Sequence, residues 1–234
     1  RYDDTRVRLQ DRSGQNPELN GSHGFSRFNP SAGLTWRPAD ATTLYASWSQ
    51  SARAPTPVEL ACASEDAPCN LPNAFLSDPP LDQVVASSFE LGSGGALERG
   101  LQWHAGVFLT TNRDDILFQT TGGAQANVGY FANVSDTVRR GLELSLSQRL
   151  ASLGWRLEYS FIDATYRDDF TVNSPNHPLF GDDAGEVDGA ARIAGPDKLR
   201  VRSGDQIPGI ARHQANLILD MRLAARWRLG ADVN

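Results

Sequence analysis

No stretch of this chain comes near the roughly 20 consecutive apolar residues that a membrane-spanning helix requires. A basic excess is missing as well. The 22 Lys and Arg are outnumbered by 28 Asp and Glu, interspersed along the chain, for a net charge of −6. There is no basic stripe, so nucleic-acid binding has no electrostatic footprint. Catalytic signatures are absent: no Gly-x-Ser-x-Gly, no phosphate loop and no His-Glu-x-x-His. The four histidines, His23, His104, His177 and His213, lie far apart and share no catalytic spacing. The sequence therefore points to no enzyme and calls for no cofactor. A sustained 3.6-residue period is also missing, and glycine breaks most windows that could hold a helix. The 21 Gly and 13 Pro are not periodic, which excludes collagen-like order.

What is present is alternation. Ala32, Leu34 and Trp36 oppose Ser31, Gly33, Thr35 and Arg37. Leu44, Ala46 and Trp48 oppose Tyr45, Ser47 and Ser49. Phe89 and Leu91 alternate with Ser88, Glu90 and Gly92. Leu101, Trp103, Ala105, Val107 and Leu109 oppose Gln102, His104, Gly106, Phe108 and Thr110, and the pattern runs on through Phe118. Tyr130–Val134 and Leu142–Ser147 read as two further strands. Trp155, Leu157, Tyr159 and Phe161 oppose Arg156, Glu158, Ser160 and Ile162. Ala215, Leu217, Leu219 and Met221 oppose Gln214, Asn216, Ile218 and Asp220. Trp227, Leu229, Ala231 and Val233 oppose Arg226, Arg228, Gly230 and Asp232. A period of two is the mark of strands with one apolar face.

The connections alternate too. Short turns fall near 38–41, 96–100, 150–154 and 222–225; longer links occupy 11–24, 52–86, about 119–129 and 168–205. Trp103, Trp155 and Trp227 follow short turns, and Trp36 precedes one. Strands of about ten residues, short turns at one end, long loops at the other and an aromatic girdle are the pattern of a transmembrane β-barrel. A 40% hydrophobic share and a mean hydropathy of −0.40 suit such a wall, where only every second residue meets lipid and the charges of the other face point into a wet lumen. The competing architecture is a soluble β-sandwich acting as an interaction module, which also alternates. It needs short loops at both ends and tolerates mid-strand charges less well. No signal peptide precedes Arg1, and Asn234 lies in the middle of a strand-like stretch, so we expect both ends to be interior to a longer chain.

Cys62 and Cys69, the only cysteines, have six residues between them in a polar, turn-like loop. Their spacing fits no common zinc pattern. A local disulfide is expected, worth roughly 2.5 kcal/mol in the chain-entropy picture; free thiols are the alternative. The acidic cluster Asp182, Asp183, Glu186 and Asp188 could offer oxygen ligands to Ca²⁺, but it matches no EF-hand and reads first as a solvated loop. We expect no metal site.

Several runs together resemble the barrel of TonB-dependent outer-membrane receptors. They are Leu44-Tyr45-Ala46-Ser47-Trp48-Ser49-Gln50-Ser51-Ala52-Arg53-Ala54-Pro55-Thr56-Pro57-Val58-Glu59-Leu60, Thr111-Asn112-Arg113-Asp114-Asp115-Ile116, Gly129-Tyr130-Phe131-Ala132-Asn133-Val134, Arg139-Arg140-Gly141-Leu142-Glu143-Leu144 and Gln206-Ile207-Pro208-Gly209-Ile210-Ala211-Arg212-His213. Each is weak alone; the ordered set spans nearly the whole chain. The resemblance implies an all-β, antiparallel up-and-down transmembrane barrel of about 22 strands. Residues 1–234, with about nine strands, would form part of its C-terminal half, without the plug domain. It further implies residence in the outer membrane of a Gram-negative bacterium, in contact with outer-membrane lipid. The partner is the TonB complex, engaged through a plug and TonB box. The cargo is a small-molecule metal chelate, most often a ferric siderophore and occasionally cobalamin. Such chelates are often anionic and aromatic, which makes Arg53, Phe75, Phe170 and Phe180, with the loop histidines His23 and His177, the candidate ligand contacts. Ordinary loop packing is the alternative for each. A passive porin or adhesive barrel is the competing function.

Overall fold

A computed structural model describes residues 1–12, 20–61, 69–70, 81–120, 128–173, 193–195, 198–224 and 226–234. Alternation becomes strands wherever it was strong. The main sheet contains β3 (Ser31–Ala39), β4 (Thr42–Arg53), β6 (Val84–Ala96), β7 (Gln102–Thr120), β8 (Val128–Arg149), β9 (Leu153–Tyr166), β13 (His213–Ala224) and β14 (Trp227–Val233). Each pairs antiparallel with the next, so the order β14-β13-β9-β8-β7-β6-β4-β3 is a plain up-and-down meander; the two-residue β5 (Cys69–Asn70) adds to β8. A hairpin of β1 (Tyr2–Leu9) and β2 (Gly21–Phe28) precedes it, and β10 (Phe170–Asn173), β11 (Ile193–Gly195) and β12 (Lys198–Val201) form a small sheet of their own.

Between β2 and β3 lie only Asn29 and Pro30. Proline supplies no N–H to a ladder and breaks pairing there, yet its carbonyl accepts from the Gln50 N–H (2.8 Å) and the Asn29 N–H donates to the Arg1 carbonyl (2.7 Å). β2 and β3 are thus one path with a break in it. Counted so, the described strands make nine passes: β1, β2–β3, β4, β6, β7, β8, β9, β13 and β14. The sheet is open at both edges, as a part of a barrel wall must be.

Register carries the two faces across the whole sheet. Ala32 pairs with Trp48, Trp48 with Phe89, and Phe89 with Leu109. Val107 pairs with Leu142, Leu142 with Phe161, Leu157 with Leu217, and Leu217 with Val233. A one-residue slip anywhere would turn a strand's apolar set over, so eight strands in phase leave one continuous apolar face. That face is bare: Leu34 is 73% exposed, Trp36 61%, Leu91 59% and Trp227 72%. A soluble sandwich would bury it against a second sheet. No described element covers it, and a bare apolar patch this extended belongs against lipid or protein. The core that does exist is small, built from Leu60, Leu81, Val84 and Ile116 with Val7, Leu9, Phe25 and Phe131 packed around it.

Two expectations are revised. Tyr130–Val134 and Leu142–Ser147 are not separate strands; they belong to the 22-residue β8. The polar run Ser135–Arg140 that separates them is held in the ladder by its own side-chain bonds, described below. A short helix, α1 (Pro57–Ala61), also stands in the first long link. Its signal was in the sequence. Thr56 and Glu59 form a capping box, with Thr56 N–H donating to Glu59 Oε2 (2.7 Å) and Glu59 N–H to Thr56 Oγ1 (3.3 Å). Pro57 holds the first helical position, where no N–H is needed.

Candidate functional site

The polar face is organised around Tyr45. Its ring extends across Gly92 of the neighbouring strand, where an added Cβ would sit 2.5 Å from the ring, and past Gly106 of the next. It ends at His104 on β7, hydrogen-bonded at 3.1 Å and stacked at 5.9 Å between centroids. Two strands without side chains at these points let one phenol bridge three strands. Glu90, Glu143 and Glu158 stand on the same face of β6, β8 and β9, as the pairings Glu90↔Phe108, Glu143↔Gly106 and Glu158↔Ser145 require.

At the end with the long links, β7 and β8 each carry a bulge. Asp114 takes a left-handed backbone (φ 55°), a conformation in which Asp is among the few tolerated non-glycine residues. Asn133 fastens this kink. Its amide nitrogen donates to the Asp114 carbonyl (2.6 Å) and the Asp82 carbonyl (3.2 Å), while its oxygen accepts from the Asp82 N–H (2.8 Å). Below it the fully buried Thr137 donates to Asp115 Oδ2 (2.8 Å) and accepts from Arg139 (3.1 Å). Asp168 accepts from the Asp136 N–H (2.8 Å) and so ties the next link to the same place. The runs containing Asp114-Asp115, Asn133 and Arg139, far apart in sequence, converge here.

Arg53 is the last residue of β4. Its Nη1 donates to Glu59 Oε2 (2.7 Å), so its charge is balanced within the link and it holds α1 against the strand end. Burial opposes the Glu59 carboxylate, but the bonds from Arg53 and Thr56 outweigh it and hold the carboxyl below its ordinary value. α1 in turn places Leu60 in the small core.

Phe170 opens β10. It meets Tyr166 edge-on, 5.0 Å between centroids, and the two line a cavity of about 570 Å³ with Leu117, Phe118, Leu199 and Arg200. His23 lies on β2, paired with Val7, two residues from Phe25 of the core. Arg53, His23 and Phe170 thus fall at the long-link end, each on a different element. Phe75, Phe180, His177, Cys62 and the acidic cluster lie outside the described residues, as does the Cys69 side chain, and with it the expected disulfide. Among the described residues no group of three or more His, Cys, Asp or Glu is placed to hold a metal ion, and no helix is long and apolar enough to cross a membrane. Sequence reasoning missed Tyr166 and the Asn133 clasp; Tyr166 lies in the strand tail just before the loop, where the alternation gives no hint of a cavity.

The sequence model described as TonB dependent receptor-like, beta-barrel, matches residues 1–234. The chain belongs to the TonB-dependent receptor β-barrel family. Solved receptors share the fold. The FrpB iron transporter from Neisseria meningitidis superposes with a TM-score of 0.56 at 17% identity, over 98% of this chain and 28% of its own. The ferric yersiniabactin uptake receptor FyuA from Yersinia pestis gives 0.56 at 15%, over 93% and 28%. The Serratia marcescens hemophore receptor HasR, in complex with its hemophore HasA and heme, gives 0.58 at 15%, over 99% and 38%. The chain thus spans well under half the length of these receptors. No curated protein sequence matched it. At these identities the likeness is one of fold, and the sheet matches a stretch of receptor barrel wall.

Proposed function

We propose that this chain is part of the C-terminal half of the barrel of an outer-membrane, TonB-dependent transporter that takes up a metal chelate, with a ferric siderophore as the first choice of cargo. The observation that supports this most is the match of the whole chain to the receptor barrel, joined to a two-faced meander whose bare apolar band suits lipid and whose long links gather at one end. In this reading the apolar face meets outer-membrane lipid, the Tyr45–His104 face lines the lumen, and the long-link end faces outward and receives the cargo. The Phe170–Tyr166 cavity offers flat aromatic and apolar surface with Arg200 beside it, a chemistry that suits an anionic chelate with aromatic groups. Phe75, Phe180 and His177 belong to the same links and are proposed contacts. Energy would reach the barrel through a plug and the TonB complex, and catalysis has no part in it. The Cys62–Cys69 pair is proposed to pin the first long link by a disulfide in an oxidising compartment.

The test is uptake. A strain lacking the gene is grown under iron limitation on a panel of single chelates, with heme included, and complemented with the gene. Growth restored on one chelate, and abolished when TonB is deleted, supports the reading. Growth restored without TonB would move the protein to the passive-porin class, and restoration on heme alone would change the cargo.

A further inference from the structure

On β8 and β9 the apolar face gives way to charge at one rung, while β7 still presents Leu109 beside Arg140. Leu142 pairs with Phe161 across β8 and β9, and the next position on that face, toward the long links, pairs Arg140 with Asp163. Arg140 donates from Nε (3.1 Å) and Nη2 (3.0 Å) to one oxygen of Asp163, and Arg212 donates from Nη2 (3.2 Å) to the other. The Arg212 carbonyl accepts from the Ile162 N–H (2.9 Å), which fixes this residue beside β9. The carboxylate is largely covered, 14% exposed, while the Arg140 and Arg212 side chains are 67% and 53% exposed. One half-buried acid thus holds two open guanidiniums side by side, with one net positive charge and with spare N–H donors on both.

Charge on the lipid-facing side of a barrel is tolerated near the interface and not at mid-depth. A pair of arginines one rung beyond a Leu–Phe pair therefore sits at headgroup level. Exposed arginines of ordinary loops are satisfied by water, but Arg140 stands on β8, Arg212 is held in the bend just before β13 by its bonds to Asp163 and Ile162, and guanidinium groups fix phosphate oxygens by paired hydrogen bonds. We infer that Arg140 and Arg212, aligned by Asp163, form a docking point for the phosphate of a phosphorylated lipid in the leaflet that meets the long-link end. Leu142 and Phe161 then lie beneath, where the acyl chains of that lipid begin. This rests on the outer-membrane reading above.

The experiment is lipid binding to the purified full-length protein in neutral detergent, read by native mass spectrometry with diphosphoryl lipid A, the same glycolipid without phosphates, and inorganic phosphate. The expected result is at least tenfold preference for the phosphorylated lipid, reduced to near parity in an Arg140→Gln, Arg212→Gln double variant. Arg140→Lys with Arg212→Lys keeps charge and packing and serves if the double Gln variant does not fold; it should lose several-fold of the preference. Equal binding of both glycolipids to the unmodified protein, or a preference unchanged in the Lys variant, overturns the inference. Inorganic phosphate binding as tightly as the lipid would assign the site to the free ion and overturn the lipid assignment. A protein that never enters membranes fails the functional reading itself; one that inserts and restores uptake yet ignores lipid phosphate fails this inference alone.

Discussion

The Tyr45 phenol lies across Gly92 and hydrogen-bonds His104 two strands away. The contact is available only because both intervening positions on the polar face, Gly92 and Gly106, have no Cβ. Gly92→Val should therefore cost more than Tyr45→Phe. The valine must displace the ring from a contact already at the limit of packing, about 1–3 kcal/mol. The Phe variant loses one hydrogen bond, about 0.5–1.5 kcal/mol. Urea unfolding from lipid vesicles, followed by tryptophan fluorescence, ranks the two. The reverse order would mean that the phenol hydroxyl, not the shape of the wall, holds this point.

The phase of the faces gives a sharper contrast. Leu144 and Ser145 are neighbours in β8 on opposite sides. Leu144→Arg puts a charge against lipid and should destabilise the barrel by roughly 2–4 kcal/mol near mid-depth. Ser145→Arg adds the same charge to the polar side and should cost well under 1 kcal/mol. Equal costs would remove the basis for assigning the lipid side.

The link between β4 and β6 carries a pH dependence whose sign is set by Glu59. Its folded carboxyl lies below the ordinary value of 4.5 because Arg53 and Thr56 favour the ionised form over the opposing effect of burial. Stability from this group is present above the unfolded value and is lost as pH falls through the folded one. Hydrogen exchange of α1 and the strand end should therefore accelerate as pH falls below about 4.5, after correction for the intrinsic rate. Glu59→Gln should show fast exchange at neutral pH and little further change on acidification. Thr56→Ala should loosen the helix by about 1 kcal/mol through loss of the cap.

Which parts of this architecture were legible beforehand follows from what each residue answers to. Leu142, Leu144 and Leu146 follow the two-residue period of their own strand, so their spacing in the sequence is enough to place them on one face, and the same holds for Trp227, Leu229 and Ala231. Ser135–Arg140 answers to partners on β7, on β9 and in the link that follows β9, and nothing within that run reveals that Thr137 meets Asp115 or that Asp136 meets Asp168. It therefore read as a gap where the strand in fact continues. The capping box at Thr56 was local and readable, but it sat in a link whose prolines drew attention away from a helix of five residues. Arg53 was legible as a residue at the lip of the wall; its ion pair with Glu59 became visible only once the link was folded back upon it. The cavity beside Phe170 depends on β10 and β12 pairing with each other across a long link, a non-local event that leaves no periodic trace.

The clasp at Asn133 makes a prediction about order. Its side chain satisfies groups of Asp82 and of Asp114, so Asn133→Ala frees backbone groups on both the first long link and the β7 bulge at once. The expected cost is about 1–2 kcal/mol, expressed as faster hydrogen exchange around 81–84 and 113–116 with the membrane-level strands unchanged. Asn133→Asp keeps the acceptor for the Asp82 N–H and loses both donations, so it should loosen the bulge while leaving Asp82 partly protected. Uniform loosening of the whole sheet by either variant would rule out a local clasp.

Phe170 is where the cargo proposal can be pressed hardest. If the cavity it shares with Tyr166 receives an aromatic chelate, Phe170→Ala should weaken binding of the chelate that supports growth by about five- to tenfold, on the order of 1 kcal/mol for a lost aromatic contact. Phe170→Tyr, which keeps the ring, should bind near normally. Loss of affinity in both variants would point to disturbed packing of β10 on Tyr166 instead of a lost ligand contact, and unchanged affinity in both would move the cargo site elsewhere on the long-link end. The measurement is equilibrium binding of the identified chelate to whole cells, where the protein keeps its membrane and its full set of links.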